Sequence, residues 1–249
     1  MNRELYGNTV EFQVYGDYAL FSDVLTRPGG EKTSYPIPTY EALKGILSSC
    51  YWKPTLEWRI QRVRIMNRIQ TMRKGVRPIK YGGGNDLAYY TYLSDVCYQV
   101  RAHFEWNMNR PELQNDRNAK KHLSIAQRMI ERGGRRDIFL GTRECQGYVE
   151  PCRFGEGKGY YDESGAISYG IMYHGITYPD EARLSEDKGK MTVRLWSPVM
   201  ENGVVDFIAP EECTMKRHIK DMQMKVFTNK ENFSGIREFG EEEKIELAE

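Results

Sequence analysis

The most constraining feature of the sequence is a strict alternation of apolar and other side chains over residues 96–106. Successive side chains of a β-strand point to opposite faces, so this alternation predicts a strand with one buried face. The chain is therefore expected to fold around a sheet. The alternating apolar positions are Val96, Tyr98, Val100, Ala102, Phe104 and Trp106.

Two earlier segments show a related period. Residues 10–15 alternate in the same way and are followed by Gly16-Asp17, which predicts a first strand that ends there. In residues 56–65 the apolar parity shifts near Gln61-Arg62, which predicts a strand with a bulge or a bend. Residues 70–86 lose the pattern and are rich in basic and glycine residues, so they are predicted to form a loop.

Two segments have the period of amphipathic helices. The first covers about residues 39–52, and Thr39 is its natural N-cap. The second runs to about Arg132 and stops at Gly133-Gly134, because glycine is favoured just past the end of a helix. Asn118 is placed to cap the first turn of this second helix.

A further strand is predicted over residues 147–154, so the order of elements is βαββαβ. This is the order of the α+β, ferredoxin-like fold, which RNA-recognition domains share. Residues 1–154 are therefore predicted to form a ferredoxin-like domain. Residues 155–228 contain short strand-like runs between turns, which predicts a smaller β-rich C-terminal region. The glutamate-rich residues 229–249 are expected to be disordered or to form a loose final helix.

Charge is distributed unevenly along the chain. The 36 Lys and Arg residues against 35 Asp and Glu give a formal net charge of +1, which favours no partner. Residues 229–249 contain three basic and seven acidic side chains, a net charge of −4 that leaves the rest of the chain at +5. A solvated face normally mixes signs, so the acid-free residues 59–80 predict contact with a polyanion. The basic residues of this segment are Arg59, Arg62, Arg64, Arg68, Arg73, Lys74, Arg77 and Lys80.

Several classes of protein are disfavoured by what the sequence lacks. No apolar run approaches the length of a membrane span, and the first residues lack the apolar core of a signal peptide, so a cytoplasmic protein without a membrane partner is expected. The five cysteines are widely spaced and form no CxxC pair, which argues against a disulfide framework or a zinc site. Without a carboxylate cluster or a phosphate-binding motif, no metal and no cofactor are predicted.

Lys121 and His122 place a fixed cation beside the side chain best suited to move protons near neutral pH. His122 falls in line with the apolar face of the second helix, so it is either a half-buried structural histidine or a catalytic one. Tyr51, at the edge of the buried stripe of the first helix, is either a core tyrosine or an orienting hydroxyl. The side chains of Tyr51, Lys121 and His122 together suit RNA cleavage without a metal ion, because the RNA 2′-hydroxyl supplies the nucleophile.

Four motifs of the chain resemble a known family. Through them the chain is similar to the CRISPR-associated endoribonucleases of subtype I-C systems, the Dvulg-subtype members of the fifth Cas family in the repeat-associated ferredoxin-like superfamily. The similarity covers about residues 8–227. The motifs are GDYALF at 16–21, PTYEALKGI at 38–46, YWKP at 51–54 and GGRRDIFLGTRECQGYVEPC at 133–152.

The resemblance implies a catalytic trio of Tyr51, Lys121 and His122. It implies cleavage of CRISPR precursor RNA within its repeats, at the base of a hairpin. It also implies that the protein keeps the 5′ handle of the mature guide RNA as a subunit of the surveillance complex. The expected partners are therefore precursor and guide RNA and the other subunits, with target DNA reached only through the complex. The basic residues of 59–80, together with Lys120, Arg135 and Arg136, are expected to bind RNA mainly through its phosphates.

Two other functions remain open. One is a subunit that binds the 5′ handle of a guide RNA and cleaves nothing. The other is a double-stranded-DNA nuclease, because contacts to a nucleic-acid backbone specify little; this alternative ranks lower, since no ligand set for a catalytic metal is visible in the sequence.

Overall fold

The strand predicted from the alternation of residues 96–106 is confirmed as part of a longer strand, β4 (Ala88–Trp106). Val100 and Ala102 have no exposed surface and Phe104 is 1% exposed, so the predicted face is the buried one. The structure is a computed structural model that describes residues 7–26, 28 and 30–224.

Within these residues the chain forms two α-helices and twelve strands. The helices are α1 (Tyr40–Cys50) and α2 (Ala119–Glu131). The other strands are β1 (Thr9–Ala19), β2 (Leu56–Ile65), β3 (Thr71–Val76), β5 (Ile138–Phe139), β6 (Gln146–Pro151), β7 (Ala166–Ser168), β8 (Met172–Thr177), β9 (Lys190–Trp196), β10 (Val199–Glu201), β11 (Val204–Asp206) and β12 (Met215–Asp221).

The larger sheet has nine strands, eight of them in the order β5-β6-β1-β4-β2-β11-β10-β7, while β3 pairs with β4 beside this path. Strand β4 is antiparallel to both β1 and β2. Its register with β2 shifts between Ile60 and Arg62, which confirms the predicted bulge. The fold is therefore α+β and is built on antiparallel sheets.

Strand β1 was predicted to end at Gly16-Asp17. It continues instead to Ala19. Gly16 pairs with Val96 inside the sheet. A Cβ atom at this position would lie 2.8 Å from the carbonyl oxygen of Gln146. The glycine is therefore required by the close approach of β6, and it does not mark a turn.

The two helices contact each other on the sheet, α1 over β2 and α2 over β6 and β1. Both predicted N-caps are confirmed. The Thr39 side chain accepts a hydrogen bond from the Ala42 amide at 3.2 Å, and the Asn118 side chain accepts one from the Lys121 amide at 3.1 Å. After α2, Gly133 has a φ of 79°, the left-handed conformation that favours glycine at the end of a helix. Neither helix in the described ranges has the length and apolar character that crossing a membrane requires.

The loop predicted for residues 70–86 is wrong in its first part. Residues Thr71–Val76 form β3, which pairs in antiparallel register with the first half of β4 and makes a β-hairpin. Most side chains of β3 are exposed on both faces, so the strand has no alternation between apolar and polar positions. The basic segment is therefore held in an extended arm.

The C-terminal strands belong to two sheets. Strands β11, β10 and β7 continue the larger sheet from the edge of β2, while β12, β9 and β8 form a separate three-stranded sheet. The larger sheet thus extends across residue 154, and the predicted division of the chain at that position stays a prediction. The acidic segment 229–249 lies outside the described residues.

Candidate active site

Tyr51 and His122 meet in the core beside α2. Tyr51 is the C-cap of α1, and its backbone is extended there, with a φ of −154°. Its hydroxyl oxygen lies 2.7 Å from Nδ1 of His122. Tyr51 is 3% exposed and His122 has no exposed surface. The structure therefore brings together two of the three residues that the resemblance implies are catalytic.

The second ring nitrogen of His122 fixes the tautomer. His122 Nε2 lies 2.8 Å from the backbone carbonyl oxygen of Asp116, which can only accept a hydrogen bond. Nε2 must therefore carry a hydrogen, and Nδ1 of the neutral ring accepts the hydrogen of the Tyr51 hydroxyl. The proton of Tyr51 points at His122, and the lone pairs of its oxygen are left to accept from another group.

Asp116 joins the histidine to the lysine of the predicted trio. Its carboxylate accepts hydrogen bonds from Lys121 Nζ and, at 2.7 Å, from the Thr55 hydroxyl. One carboxylate oxygen also lies 3.4 Å from His122 Nε2. The bonds from Lys121 and Thr55 lower the pKa of Asp116 to about 2, so the carboxylate is charged at any physiological pH.

Sequence reasoning did not assign a role to Asp116 or Thr55. Asp116 ends the 3₁₀ helix Pro111–Asp116, which has no buried residue and no recognisable period. Thr55 lies between α1 and β2. The one signal that could have identified Asp116 is its nearness to Lys121 and His122 in the chain.

Lys121 lies at the surface end of this arrangement, with 45% of its side chain exposed. Tyr51 lies deeper, and burial is the main cause of the rise in the pKa of its hydroxyl. The negative charge of Asp116 also raises this pKa, while the positive charge of Arg135 lowers it. Arg135 is therefore close enough to act on the Tyr51 hydroxyl electrostatically.

Aromatic rings enclose the imidazole. The ring centroid of Trp106 lies 5.6 Å from that of His122, and the Phe104 centroid lies at 6.2 Å, both in edge-to-face geometry. These rings and the two hydrogen bonds of the imidazole leave His122 one orientation, which is a requirement for directed proton transfer. Among the described residues, no group of three or more His, Cys, Asp or Glu side chains is arranged to hold a metal ion.

Although residues 59–80 contain no acidic residue, the arginines of this segment on β2 have acidic partners from elsewhere in the chain. Arg59 is 7% exposed and makes salt bridges to Glu57, Glu105 and Glu211 at 3.1, 3.0 and 2.8 Å. Because β2 lies between β4 and β11, its side chains meet acids from both neighbours and from distant loops. Arg59 therefore stabilises the fold and is not available to RNA.

Two further arginines of β2 are also engaged within the protein. Arg64 is 6% exposed, pairs with Asp162 at 2.8 Å and donates to the backbone carbonyl oxygen of Gly157 at 2.9 Å. Arg62 pairs with Asp206 of β11, although both side chains are exposed. Such an exposed pair is weak, so Arg62 remains accessible to a stronger anion.

The basic residues beyond β2 are more accessible. Arg68, Arg73 and Arg77 are exposed. Lys74 lies over the Tyr18 ring, 3.1 Å from its centroid, and Lys80 pairs with Asp86 at 3.6 Å. The arm formed by β3 and the start of β4 thus carries cations, and the exposed aromatic side chains of Tyr81 and Tyr89 lie beside them.

Lys120, Arg135 and Arg136 are exposed near the predicted trio. The backbone amides of Arg135 and Arg136 both donate to the carbonyl oxygen of Ser49, at 3.2 and 3.1 Å. These bonds attach the turn that follows α2 to the last turn of α1, directly before Tyr51. The two arginines are thereby held close to Tyr51, as their predicted role requires.

Comparison with known proteins agrees with this arrangement of elements. A family model described as CRISPR-associated protein (Cas_Cas5), of the Cas5d type, matches residues 9–208. A crystal structure of a CRISPR-associated protein is 37% identical, with a TM-score of 0.70. A functionally uncharacterized protein from Streptococcus mutans is 39% identical, also with a TM-score of 0.70. Each of the two matches covers 84% of this chain and 96% of the other chain.

A protein of Thermus thermophilus named CRISPR pre-crRNA endoribonuclease Cas5d is 29% identical over 155 residues. That match covers 57% of this chain and 63% of the relative, so the chain spans less than two thirds of that relative's length. The family model, in contrast, matches most of the chain, including β1, α1, the Lys121-His122 pair and the strands of the larger sheet. The chain therefore belongs to the Cas5 family of CRISPR-associated proteins.

Proposed function

We propose that this chain is an endoribonuclease that cleaves CRISPR precursor RNA within its repeats without using a metal ion. The observation that carries the proposal is the hydrogen-bonded chain from the Tyr51 hydroxyl through His122 to Asp116, with Lys121 beside it. This chain supplies a route for a proton and a nearby cation, and the RNA 2′-hydroxyl supplies the nucleophile. The name of the Thermus thermophilus relative supports the choice of substrate.

The reaction follows from the direction of the hydrogen bonds. Tyr51 takes the proton of the 2′-hydroxyl as its own proton passes to Nδ1 of His122, and the 2′-oxygen attacks the adjacent phosphorus. The bond from phosphorus to the 5′-oxygen breaks, and that oxygen leaves with a proton from solvent. The products are a 2′,3′-cyclic phosphate and a 5′-hydroxyl. His122 then returns its proton to Tyr51, and Tyr51 releases the proton taken from the RNA to the hydroxide left in the solvent, which restores both side chains.

Asp116 and Lys121 act on the charges that appear during this reaction. When His122 becomes an imidazolium, the Asp116 carboxylate at 3.4 Å and its carbonyl oxygen at 2.8 Å stabilise the new positive charge. The exposed ammonium of Lys121 stabilises the negative charge on the phosphorane. Lysine has three donors, so Lys121 can contact a phosphate while it keeps its bond to Asp116.

We also propose that the two helices and the central strands of the larger sheet form a ferredoxin-like arrangement. The adjacent strands β6-β1-β4-β2, with α1 after β1 and α2 after β4, follow the βαββαβ order. In this arrangement the two helices bring Tyr51 from one repeat of the fold to His122 from the other. We further propose that the protein stays bound to the 5′ handle of the guide RNA as a subunit of the surveillance complex.

One observation favours a second candidate, a subunit that binds the 5′ handle and cleaves nothing. His122 has no exposed surface, so an RNA cannot touch its ring directly in this conformation. The two candidates differ in whether Tyr51 can pass a proton between the substrate and this buried ring.

The test is incubation of the protein with RNA of its own repeat in EDTA. A matched RNA carries a 2′-deoxy sugar at the cleaved nucleotide. We expect cleavage of the first RNA, a cyclic or linear 3′-phosphate product, and no cleavage of the second. Normal cleavage of the deoxy RNA, or loss of all cleavage in EDTA, would contradict the mechanism. A shift of the RNA on a gel without any cleavage would favour the binding subunit.

A further inference from the structure

A large aromatic side chain is exposed at the residue that follows the proposed catalytic tyrosine in the chain. Trp52 follows Tyr51 directly and is 52% exposed, whereas Tyr51 is 3% exposed. Trp58 and Trp196 are buried at 1% and 5% exposed. A flat apolar ring held at the surface is the side chain on which unpaired nucleobases stack.

Trp52 lines a cleft that has room for a nucleobase. The cleft has a volume of about 400 Å³, within the range of small-ligand sites. Its other walls include Ser48 and Ser49 of α1, Tyr178, and the two arginines that follow α2. The cleft therefore combines an aromatic surface, hydroxyl groups and cations.

Arg135 and Arg136 are the uncompensated charges of this cleft. Two acids also line it, but Glu181 pairs with Lys44 at 2.5 Å and Glu41 lies 3.6 Å from Arg194. In the described part of the chain, neither Arg135 nor Arg136 has an acidic partner. An incoming phosphate would therefore meet two free guanidinium groups whose backbone is attached to α1.

A second, larger groove of about 840 Å³ also has Trp52 as one of its walls. Its single basic lining residue, Arg110, lies 3.7 Å from Glu112. Among the described residues that line it, this groove therefore offers no unpaired cation to a phosphate. An RNA backbone that reaches Tyr51 is thus expected on the side of the two arginines.

We propose that Trp52 stacks on an unpaired nucleobase that flanks the scissile phosphate, while Arg135 and Arg136 bind the phosphate of the same nucleotide. This inference rests on the proposed function, since it places the base beside Tyr51. The subsite selects single-stranded RNA, because a base within a duplex does not present its face to a side chain. It would position the 2′-hydroxyl next to Tyr51 and so contribute to the choice of cleavage position.

The experiment measures binding without cleavage, so that it is separate from the test of the proposed function. The parent for this comparison is His122→Ala, in which the RNA stays intact. Affinity for repeat RNA is measured with and without Trp52→Ala, on the intact RNA and on a series of RNAs that each lack one base. The conservative variant is Trp52→Phe. The matched control is Tyr148→Ala, because Tyr148 is 54% exposed and lies on β6, where its neighbour Val149 takes the buried face.

We expect Trp52→Ala to weaken binding of intact RNA by about tenfold, the usual effect of removing a stacking ring. On the RNA that lacks the stacked base, Trp52→Ala should cause no further loss. Trp52→Phe should restore most of the affinity, and Tyr148→Ala should change nothing. Equal affinity of Trp52→Ala for intact RNA, or an equal loss on every RNA of the series, would overturn the proposal. Absence of cleavage by the unmutated protein is read on a separate gel and bears only on the proposed function.

Discussion

Asp116 is hydrogen-bonded to both candidate catalytic side chains of α2. It accepts a hydrogen bond from Lys121 Nζ, and its backbone carbonyl oxygen accepts one from His122 Nε2. The pKa of its carboxyl group is about 2, so Asp116 stays ionised as the pH falls through the range in which histidine titrates. A change in rate between pH 5 and 8 therefore does not report the protonation of Asp116.

Asp116→Asn is expected to slow cleavage about 100-fold, within the usual contribution of a proton-transfer group. The amide keeps the size of the side chain but cannot stabilise the imidazolium by charge. Single-turnover rates measure this effect, and RNA affinity should change little.

The control for this prediction is Glu163→Gln, which removes an exposed carboxylate away from the trio. Its cleavage rate should match that of the unmutated protein. An Asp116→Asn variant with an unchanged rate would show that Asp116 has no part in the reaction.

The residues of the site differed in how far the sequence could predict them. Lys121 and His122 are adjacent, and the position of His122 on the apolar face of α2 predicted that it points inward. Whether it was structural or catalytic could not be decided without Tyr51, whose hydroxyl comes from another helix. Asp116 and Thr55 were missed, because a side chain in an irregular turn has no periodic neighbour that fixes its direction.

The β3–β4 arm and strand β2 share the same basic segment but use their charges differently. On the arm, Arg73 and Arg77 are exposed. On β2, Arg59 lies inside a group of carboxylates that includes Glu211, 152 residues away in the chain. A charge run in the sequence cannot separate these cases, because the partners of Arg59 come from distant segments.

Arg73→Ala/Arg77→Ala is expected to weaken binding of repeat RNA and to lower the dependence of log affinity on log salt concentration by about 0.7 for each charge. The cleavage rate of bound RNA should stay near that of the unmutated protein, because the proposed role of these residues is to bind phosphates away from the reacting group. Affinity at several salt concentrations and a single-turnover rate at saturating protein check both statements.

The matched control removes two exposed lysines near the smaller sheet, Lys188→Ala/Lys220→Ala, and should leave affinity and salt dependence unchanged. Equal losses in the two double variants would show that the arm has no special role.

Arg59→Ala should instead lower the free energy of unfolding by about 3 kcal/mol, because it leaves buried carboxylates with fewer partners.

The helices and the strands β1, β2, β4 and β6 of the larger sheet were predictable, because each has a periodic pattern of buried side chains. The two N-caps, Thr39 and Asn118, followed from the same local rules. Strand β3 could not be predicted from such rules, because it is exposed on both sides and is held by its hydrogen bonds to β4. The prediction that β1 ends at Gly16 was wrong, because the close approach of β6 depends on a segment more than 100 residues later in the chain.

Across the whole molecule, the candidate catalytic side chains are separate from the basic arm. The candidate trio lies where α1 and α2 meet, with Trp52 and the two arginines at its edge, while the basic arm extends from the start of β4. The strands that follow residue 154 complete the larger sheet and supply the partners of Arg59 and Arg64. The C-terminal region therefore supports the site through the sheet and contributes none of the three candidate catalytic side chains.

The central claim is that His122 moves a proton during cleavage and has no other essential role. The most direct measurement compares His122→Ala with the unmutated protein on its own repeat RNA, with affinity and single-turnover rate determined for both. The account predicts affinities that agree within about threefold and a cleavage rate that falls by about 100-fold to 10,000-fold. A His122→Ala protein that cleaves at the rate of the unmutated protein would contradict it.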